Sequence, residues 1–441
     1  MTPSAQRPET AAPASPRDVG DAIVSTYLDA QVVLRPGVAE VMPDDRLPVN
    51  YSFMTGILVR VDGKDHQERR RVLGAALGRQ ATERFDRTVR DRLTRSLRQA
   101  AADANGDTAR ADLVQVLRHA LIAASAVTMG LDGLDDPANI PTALGIADRF
   151  SAGIRGSRHP RSTRPEELAQ IVADAAAAQE QLDTMYLTPA WEKRQALVDV
   201  LDSGPADKTA LPPDLLTQLV RNAHLYSDRG RDVLVREILS LFAGMAFDVI
   251  PSILFALDAL LDHSDLLKAE TDPALLRAIA FESLRLRTNG VVHRRLRSDV
   301  ELPSGLSLRA GDHVALDVDG INRDPHVYGS DARQVRAGRR LPPGVQPFGF
   351  TFSGGEHTCL GRGLVTGSAG AGGHAERPGL LMDVLHTLMD HGVQRDPAHA
   401  PTNRQRLTSS VPGSEVAESV EDYVSYPVSF ATQRGLTPNG H

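Results

Sequence analysis

The chain of 441 residues contains one cysteine, Cys359, and that thiol constrains the fold more than any other residue. No intramolecular disulfide can staple the polypeptide, so stability must come from a buried apolar core, and the chain is consistent with a reducing compartment. Cys359 lies in the run Phe352-Ser353-Gly354-Gly355-Glu356-His357-Thr358-Cys359-Leu360-Gly361. Lone cysteines are most often small buried hydrophobes. A glycine-rich surround points elsewhere. Glycine lets backbone approach a flat ligand closely and leaves N–H groups free to bond a sulfur ligand. A thiolate in such a loop is a soft metal ligand, and as an axial ligand to haem iron its electron push favours O–O cleavage.

Composition sets broad limits. Hydrophobic residues at 41% and charged residues at 24% are ordinary for a soluble globular protein. A net charge of −7 gives no support for nucleic-acid binding, which usually brings a basic excess. No run of eighteen or more apolar residues occurs, and the N-terminus lacks a basic-then-apolar signal pattern, so a cytoplasmic protein without a membrane partner is expected. Arginine supplies nearly all the positive charge, since lysine occurs only at 64, 193, 208 and 268.

Residues 1–18 are rich in Pro, Ala and Ser and are expected to be disordered. Ala22 to Leu34 reads as a short strand followed by a helical turn. Apolar positions recur at helical spacing from Asp65 to Gln99, and the periodicity stays helical from Ala101 to Leu261. Gly305 to Val318 alternates as strands do, and Thr408 to Phe430 carries short β-like pieces. The expected fold class is mainly α with a minor β component. Residues 19–434 would form one domain, with 366–378 as a glycine-rich insertion and 435–441 as a C-terminal tail.

The cysteine loop has Phe seven residues before the thiol, Gly four before, a basic residue two before and Gly two after. In Phe352, Gly355, His357, Cys359 and Gly361 it resembles the haem-binding signature of the cytochrome P450 family of haem-thiolate oxygenases. Other motifs occur in the family's order. Glu282 and Arg285 form Glu-x-x-Arg, a spacing that puts both side chains on one helix face. This is similar to the family pair that locks a helix to a downstream meander through a further arginine, a place open to Arg333 or Arg339. Asn322-Arg323-Asp324-Pro325 reads as a turn and resembles the family's tetrad after its central hairpin.

His66 and Arg70 stand four apart on a predicted helix, which alone reads as a solvated charged face. The resemblance gives the pair a use. Haem carries two propionates, and anions in a partly buried site require charge-assisted donors. His66, Arg70, Arg294 and His357 match the family's donors, with Arg295 a rival to Arg294. The resemblance implies the cytochrome P450 fold, with a long central helix over haem b, a small β-sheet subdomain and Cys359 as the iron ligand.

Three departures qualify that resemblance. The central apolar helix, Glu237 to Leu261, contains Leu241-Phe242-Ala243-Gly244-Met245-Ala246-Phe247-Asp248-Val249-Ile250-Pro251-Ser252. The family has an acid followed by threonines here, which organise water for proton delivery. Aligned on Ala243-Gly244, the acid becomes Ala246 and the threonines become Phe247 and Asp248; shifted so that Asp248 is the acid, they become Val249 and Ile250. Either register lacks the alcohol. Pro251 also removes the hydrogen bond to the Phe247 carbonyl and should kink the helix. Gly244, Phe247 and Asp248 are therefore the candidate catalytic positions, with protons carried by Asp248, by water at the freed carbonyl, or by a substrate hydroxyl.

Secondly, the family's first helix and first strand are not expected in the residues before Val24, which would leave an unpaired edge in the small sheet; a mis-assigned start codon is the alternative. Thirdly, Thr366 to Gly373 interrupts the helix that should continue from Cys359. That helix would resume near Gly379, leaving a flexible surface insertion; it is no phosphate loop, because no Gly-Lys-Ser/Thr follows.

The resemblance implies oxidation of a small, largely apolar molecule in bacterial specialised metabolism, with electrons from NAD(P)H through a separate ferredoxin and reductase. Arg69, Arg71, Arg339, Arg340 and Arg362 are candidates for the docking patch. Substrate contacts would come from Phe53, Met54, Ile57 and Leu58 and from helices around Phe150. Two alternatives remain. One is atypical chemistry without the acid–alcohol pair: peroxide-driven oxidation, oxidative cyclisation or coupling, or rearrangement. The other is a non-catalytic helper of a partner enzyme.

Overall fold

The computed structural model describes residues 22–42, 53–158, 164–202, 211–262, 272–288, 290–368, 376–410 and 417–432. The expected tails, 1–18 and 435–441, lie outside them. Fifteen α-helices are seen among these residues. They are α1 Tyr27–Val33, α2 Gly63–Ala76, α3 Arg79–Asp103, α4 Leu113–Met129 and α5 Ile140–Arg158. Next come α6 Pro165–Leu182, α7 Thr188–Asp202, α8 Leu215–Arg221, α9 Arg231–Phe247 and α10 Ile250–Asp262. The last are α11 Pro273–Leu286, α12 Val318–Asn322, α13 Pro325–Tyr328, α14 Arg362–Thr366 and α15 Leu380–Asp390.

The strands are short. They are β1 Ala22–Val24, β2 Ala39–Val41, β3 Thr108–Asp112, β4 Val291–Leu296, β5 Val300–Glu301 and β6 Ser307–Leu308. They continue with β7 His313–Asp317, β8 Gln394–Arg395, β9 Thr402–Ser410, β10 Ala417–Ser425 and β11 Pro427–Ala431. One sheet has the order β1-β7-β4-β2, another β3-β11-β8, and β9–β10 and β5–β6 are two-stranded. The mainly helical class with minor β therefore holds. Strand β3 corrects the all-helical reading of 101–261. Its alternation runs for only five residues, and its partner β11 lies more than 300 residues away in sequence. Among the described residues, β1 pairs with β7 in parallel at one edge of its sheet, and β2 lies at the opposite edge.

Helix α4 passes through the core, with Leu117, Leu121 and Ala124 buried on one flank and Ile122, Ala123 and Ala126 on the other. Helices α9 and α10 form one apolar stretch, Arg231–Asp262, long enough to cross a membrane but largely packed inside the protein. The predicted kink is present, since α9 ends at Phe247 and α10 begins at Ile250. Pro251 lacks the N–H that Phe247 would need four residues on. Downstream, Glu282 Oε1 and Oε2 accept from Arg285 Nε at 2.7 Å and Nη2 at 2.8 Å, with both side chains buried. Arg285 also donates to the carbonyls of Asn322 and Ala332, which ties α11 to the segment leading to the cysteine loop. The further arginine is Arg339, not Arg333.

Candidate active site

The cysteine loop is shaped by contacts that admit no side chain at two glycines. Gly355 has φ +63°, and a Cβ there would collide with the Leu34 carbonyl; Gly349 has φ +59°, and a Cβ there would strike the Asn322 amide. Asn322, fully buried, accepts at its Oδ1 from the Phe350 N–H at 2.7 Å. The tetrad expected as a turn thus braces the loop. Phe352 stacks edge-on against Phe348 with ring centroids 5.3 Å apart, and its carbonyl accepts from the Cys359 N–H at 2.9 Å.

Cys359 is enclosed by protein yet open to a cavity of about 330 Å³. Burial pushes its thiol pKa up, the N–H groups of Gly361 and Arg362 and the charge of Arg70 pull it down, and Asp248 pushes it up further. Helices α9 and α10 and the break between them present Gly244, Met245, Asp248, Val249 and Ser252 to the cavity, which Leu58 and Val59 also line. Phe247 does not line this space. It packs, partly buried, against the core, and the Arg118 guanidinium lies 4.4 Å from its ring centroid. Only its carbonyl remains a candidate for the role assigned from sequence. Of the expected substrate-contact residues, Leu58 lines the cavity. Phe53 and Phe150 instead pack edge-on against each other at 6.0 Å.

Of the four expected propionate donors, three line the cavity and Arg294 does not. His66, Arg70 and His357 line the cavity, and the rings of His66 and His357 stack with centroids 4.2 Å apart. Buried His66 Nε2 has no hydrogen-bond partner, and burial together with the neighbouring cations lowers its pKa to about 4. Arg70 donates to the Thr358 carbonyl at 2.5 Å. His357 Nε2 meets Asp62 Oδ1 at 2.9 Å. Burial raises the Asp62 pKa, but the bonds from His357 and the Val41 N–H hold it below the usual carboxylate range. Arg294 sits behind this group, within the field of Asp62 and Arg60. Burial lowers its pKa to about 10, and it donates to the carbonyl of the adjacent His293. Arg295, its rival, is taken by Glu40.

This donor set fits haem b. The orphaned His66 nitrogen and the poorly compensated Arg294 charge call for an anion, a thiol faces the same cavity, and glycine backbone lines the loop. Among the described residues no cluster of three His, Cys, Asp or Glu side chains offers a separate metal site.

Residues 267–366 match the family model for cytochrome P450, a stretch that runs from before α11 through Cys359 to the end of α14. That segment belongs to the cytochrome P450 family. The fold of the described chain agrees over a far longer span. Cytochrome P450 260B1 of Sorangium cellulosum So Ce56 is 20% identical with a TM-score of 0.61, covering 92% of this chain and 89% of that one. CYP109E1 of Bacillus megaterium, solved with testosterone, is 16% identical with a TM-score of 0.59 and 92% of each chain covered. P450BioI, solved with an acyl carrier protein bearing hexadec-9Z-enoic acid, is 16% identical with a TM-score of 0.63, again over 92% of each chain. Among curated proteins none matches by sequence. Proteins of the cytochrome P450 family are haem-thiolate monooxygenases that bind haem b.

Two features escaped the sequence reading. Ser252 brings a hydroxyl to the cavity one helical turn beyond Asp248. The signal was its i+4 spacing, hidden because the family motif places the alcohol beside the acid. Glu237 is almost wholly buried. It accepts from the Leu58 N–H at 3.0 and 3.2 Å, from Tyr226 at 3.3 Å and from Arg69. Arg69 is therefore a core residue and Arg339 is buried on Glu282, so neither can belong to a docking patch; Arg71, Arg340 and Arg362 are exposed.

Proposed function

We propose that this cytochrome P450 oxidises a small, largely apolar organic molecule as a tailoring step of bacterial specialised metabolism. Electrons would reach it from NAD(P)H through a ferredoxin and its reductase in the cytoplasm. The observation that carries the reading is the Cys359 thiol facing, across one cavity, the Gly244–Asp248 turn of the central helix. The lining supports an apolar substrate, since Leu58, Val59, Leu241, Met245 and Val249 are among its hydrophobic members.

When bound, haem b would supply a thiolate-ligated iron at which oxygen is activated. The chain's residues would do the rest. Cys359 would ligate the iron, its sulfur held by the Gly361 and Arg362 N–H groups. His66, Arg70, Arg294 and His357 would hold the propionates. Asp248 would take up protons and pass them into the cavity, with the Ser252 hydroxyl and the Phe247 carbonyl as further stations for water.

A second reading rests on the helix break. In the register aligned on Ala243-Gly244, Phe247 stands where the family has its alcohol, and it does not line the cavity, which favours chemistry that needs no timed proton delivery, such as peroxide-driven oxidation, ring formation or coupling. Product analysis with ferredoxin, reductase and NADPH against hydrogen peroxide alone tests the two. Coupled product only with the electron donors supports the monooxygenase reading, and product only with peroxide overturns it.

A further inference from the structure

The interruption after Cys359 leaves a specific deficit in the helix that begins at the thiol. Helix α14 is five residues long. The Gly367 N–H still closes on the Gly363 carbonyl at 3.0 Å. The next bond fails. The Ser368 N–H, which an unbroken helix would give to Leu364, bonds the Arg377 carbonyl at 3.0 Å, and the Arg377 N–H returns the bond to Ser368. The Leu364 carbonyl would be orphaned next to a buried side chain, at a cost comparable to a lost hydrogen bond. The Arg377 side chain supplies what is missing. Its Nη2 donates to the Leu364 carbonyl at 3.1 Å and also reaches the Gly363 carbonyl, while Nη1 pairs with Asp86 of α3.

Arg377 is itself 7% exposed, and Asp86 is 4% exposed. One short helix therefore has the Cys359 sulfur at its N–H end and a buried guanidinium at its carbonyl end. Both placements suit the helix dipole. The same arginine closes the base of the glycine-rich stretch, so the described ends of that stretch are anchored rather than loose.

Resting on the haem-thiolate reading, we propose that Arg377, held by Asp86, is a positioning residue for the iron ligand: it replaces the missing helical continuation and keeps α14, and with it the Cys359 loop, in register beneath the haem. It touches neither sulfur nor cavity and acts through the carbonyls of Gly363 and Leu364.

The test uses the full-length holoprotein, reduced and CO-bound, in sub-denaturing urea. It reads the rate at which the red-shifted thiolate band gives way to the shorter-wavelength band of lost thiolate ligation. Arg377→Gln is expected to speed this conversion about tenfold, the scale of one lost charge-assisted bond, and Arg377→Lys to restore most of the difference. Arg194→Gln removes an equally buried arginine from the Asp132 and Asp214 pairs of α7 and α8, and is expected to leave the rate near wild type. An unchanged rate in Arg377→Gln, or an equal rise in Arg194→Gln, overturns the assignment. If Arg377→Gln yields no folded protein, Asp86→Asn carries the test with an expected rise of about threefold, and no rise overturns it. A wild-type protein without the thiolate band sinks the haem-thiolate reading itself, an outcome distinct from these.

Discussion

Arg339 completes the network that Glu282 begins: its Nε and Nη2 both lie 3.1 Å from Glu282 Oε2, the oxygen that also accepts from Arg285 Nη2. Arg339 is held in turn by Asp331, so four charged groups from α11 and the segment before the cysteine loop form one unit. Removing the Glu282 charge leaves the buried Arg285 and Arg339 guanidiniums without full compensation. Glu282→Gln is expected to lower unfolding free energy by about 3–5 kcal/mol, read by urea denaturation. Arg333→Gln, at an exposed position, should change it by less than about 0.5 kcal/mol.

Asp86 predicts a pH dependence of stability. Burial dominates its environment and Asp383 adds to it; Arg377 and Arg90 oppose, and the pKa settles at about 6, above the unfolded value of 3.8. The folded state then holds a proton that the unfolded state has released between those values. This contribution is complete below pH 4 and is lost as pH rises through 6. Unfolding free energy should fall between pH 4 and 6 by up to about 3 kcal/mol from this group. Asp86→Asn should remove that slope, measured by denaturation at fixed ionic strength.

For Arg294 two measurements should move independently. An under-compensated buried cation weakens the protein alone and strengthens anion binding. Arg294→Met is expected to leave the stability of the haem-free protein equal or higher. Haem transfer to an excess of a scavenging haem protein should quicken about tenfold. Arg295→Met, which breaks a surface pair with Glu40, should not change the transfer rate.

Proton delivery is tested at Asp248 and Ser252. Under the proposed function, Asp248→Asn should reduce coupling of NADPH consumption to product, with a loss of turnover of roughly 10²-fold, the usual scale for a positioned acid–base group. Ser252→Ala should reduce coupling less. Unchanged coupling and rate in Asp248→Asn would remove that residue from the mechanism.

Much of the site was legible because its residues have strict local requirements. The cysteine loop needs glycine where backbone meets Leu34, and the Glu282–Arg285 pair follows from helical spacing. What the sequence hid depends on long-range packing. Arg69 and Arg339 look like surface cations on paper. Their counter-charges, Glu237 and Glu282, are supplied from 168 and 57 residues away. Strand β3 is set by its partner β11, not by its own five residues. The packing of Phe247 against Arg118, 129 residues before it in the chain, likewise has no local signature.

The central claim is that Cys359 ligates haem iron as a thiolate. The reduced, CO-bound absorption spectrum of the full-length protein tests it most directly. The account predicts a Soret band at the red-shifted position that gives the family its name, abolished in Cys359→Ala while the fold persists. A wild-type band at the shorter wavelength of histidine-ligated haem, or a red-shifted band that survives Cys359→Ala, would contradict it.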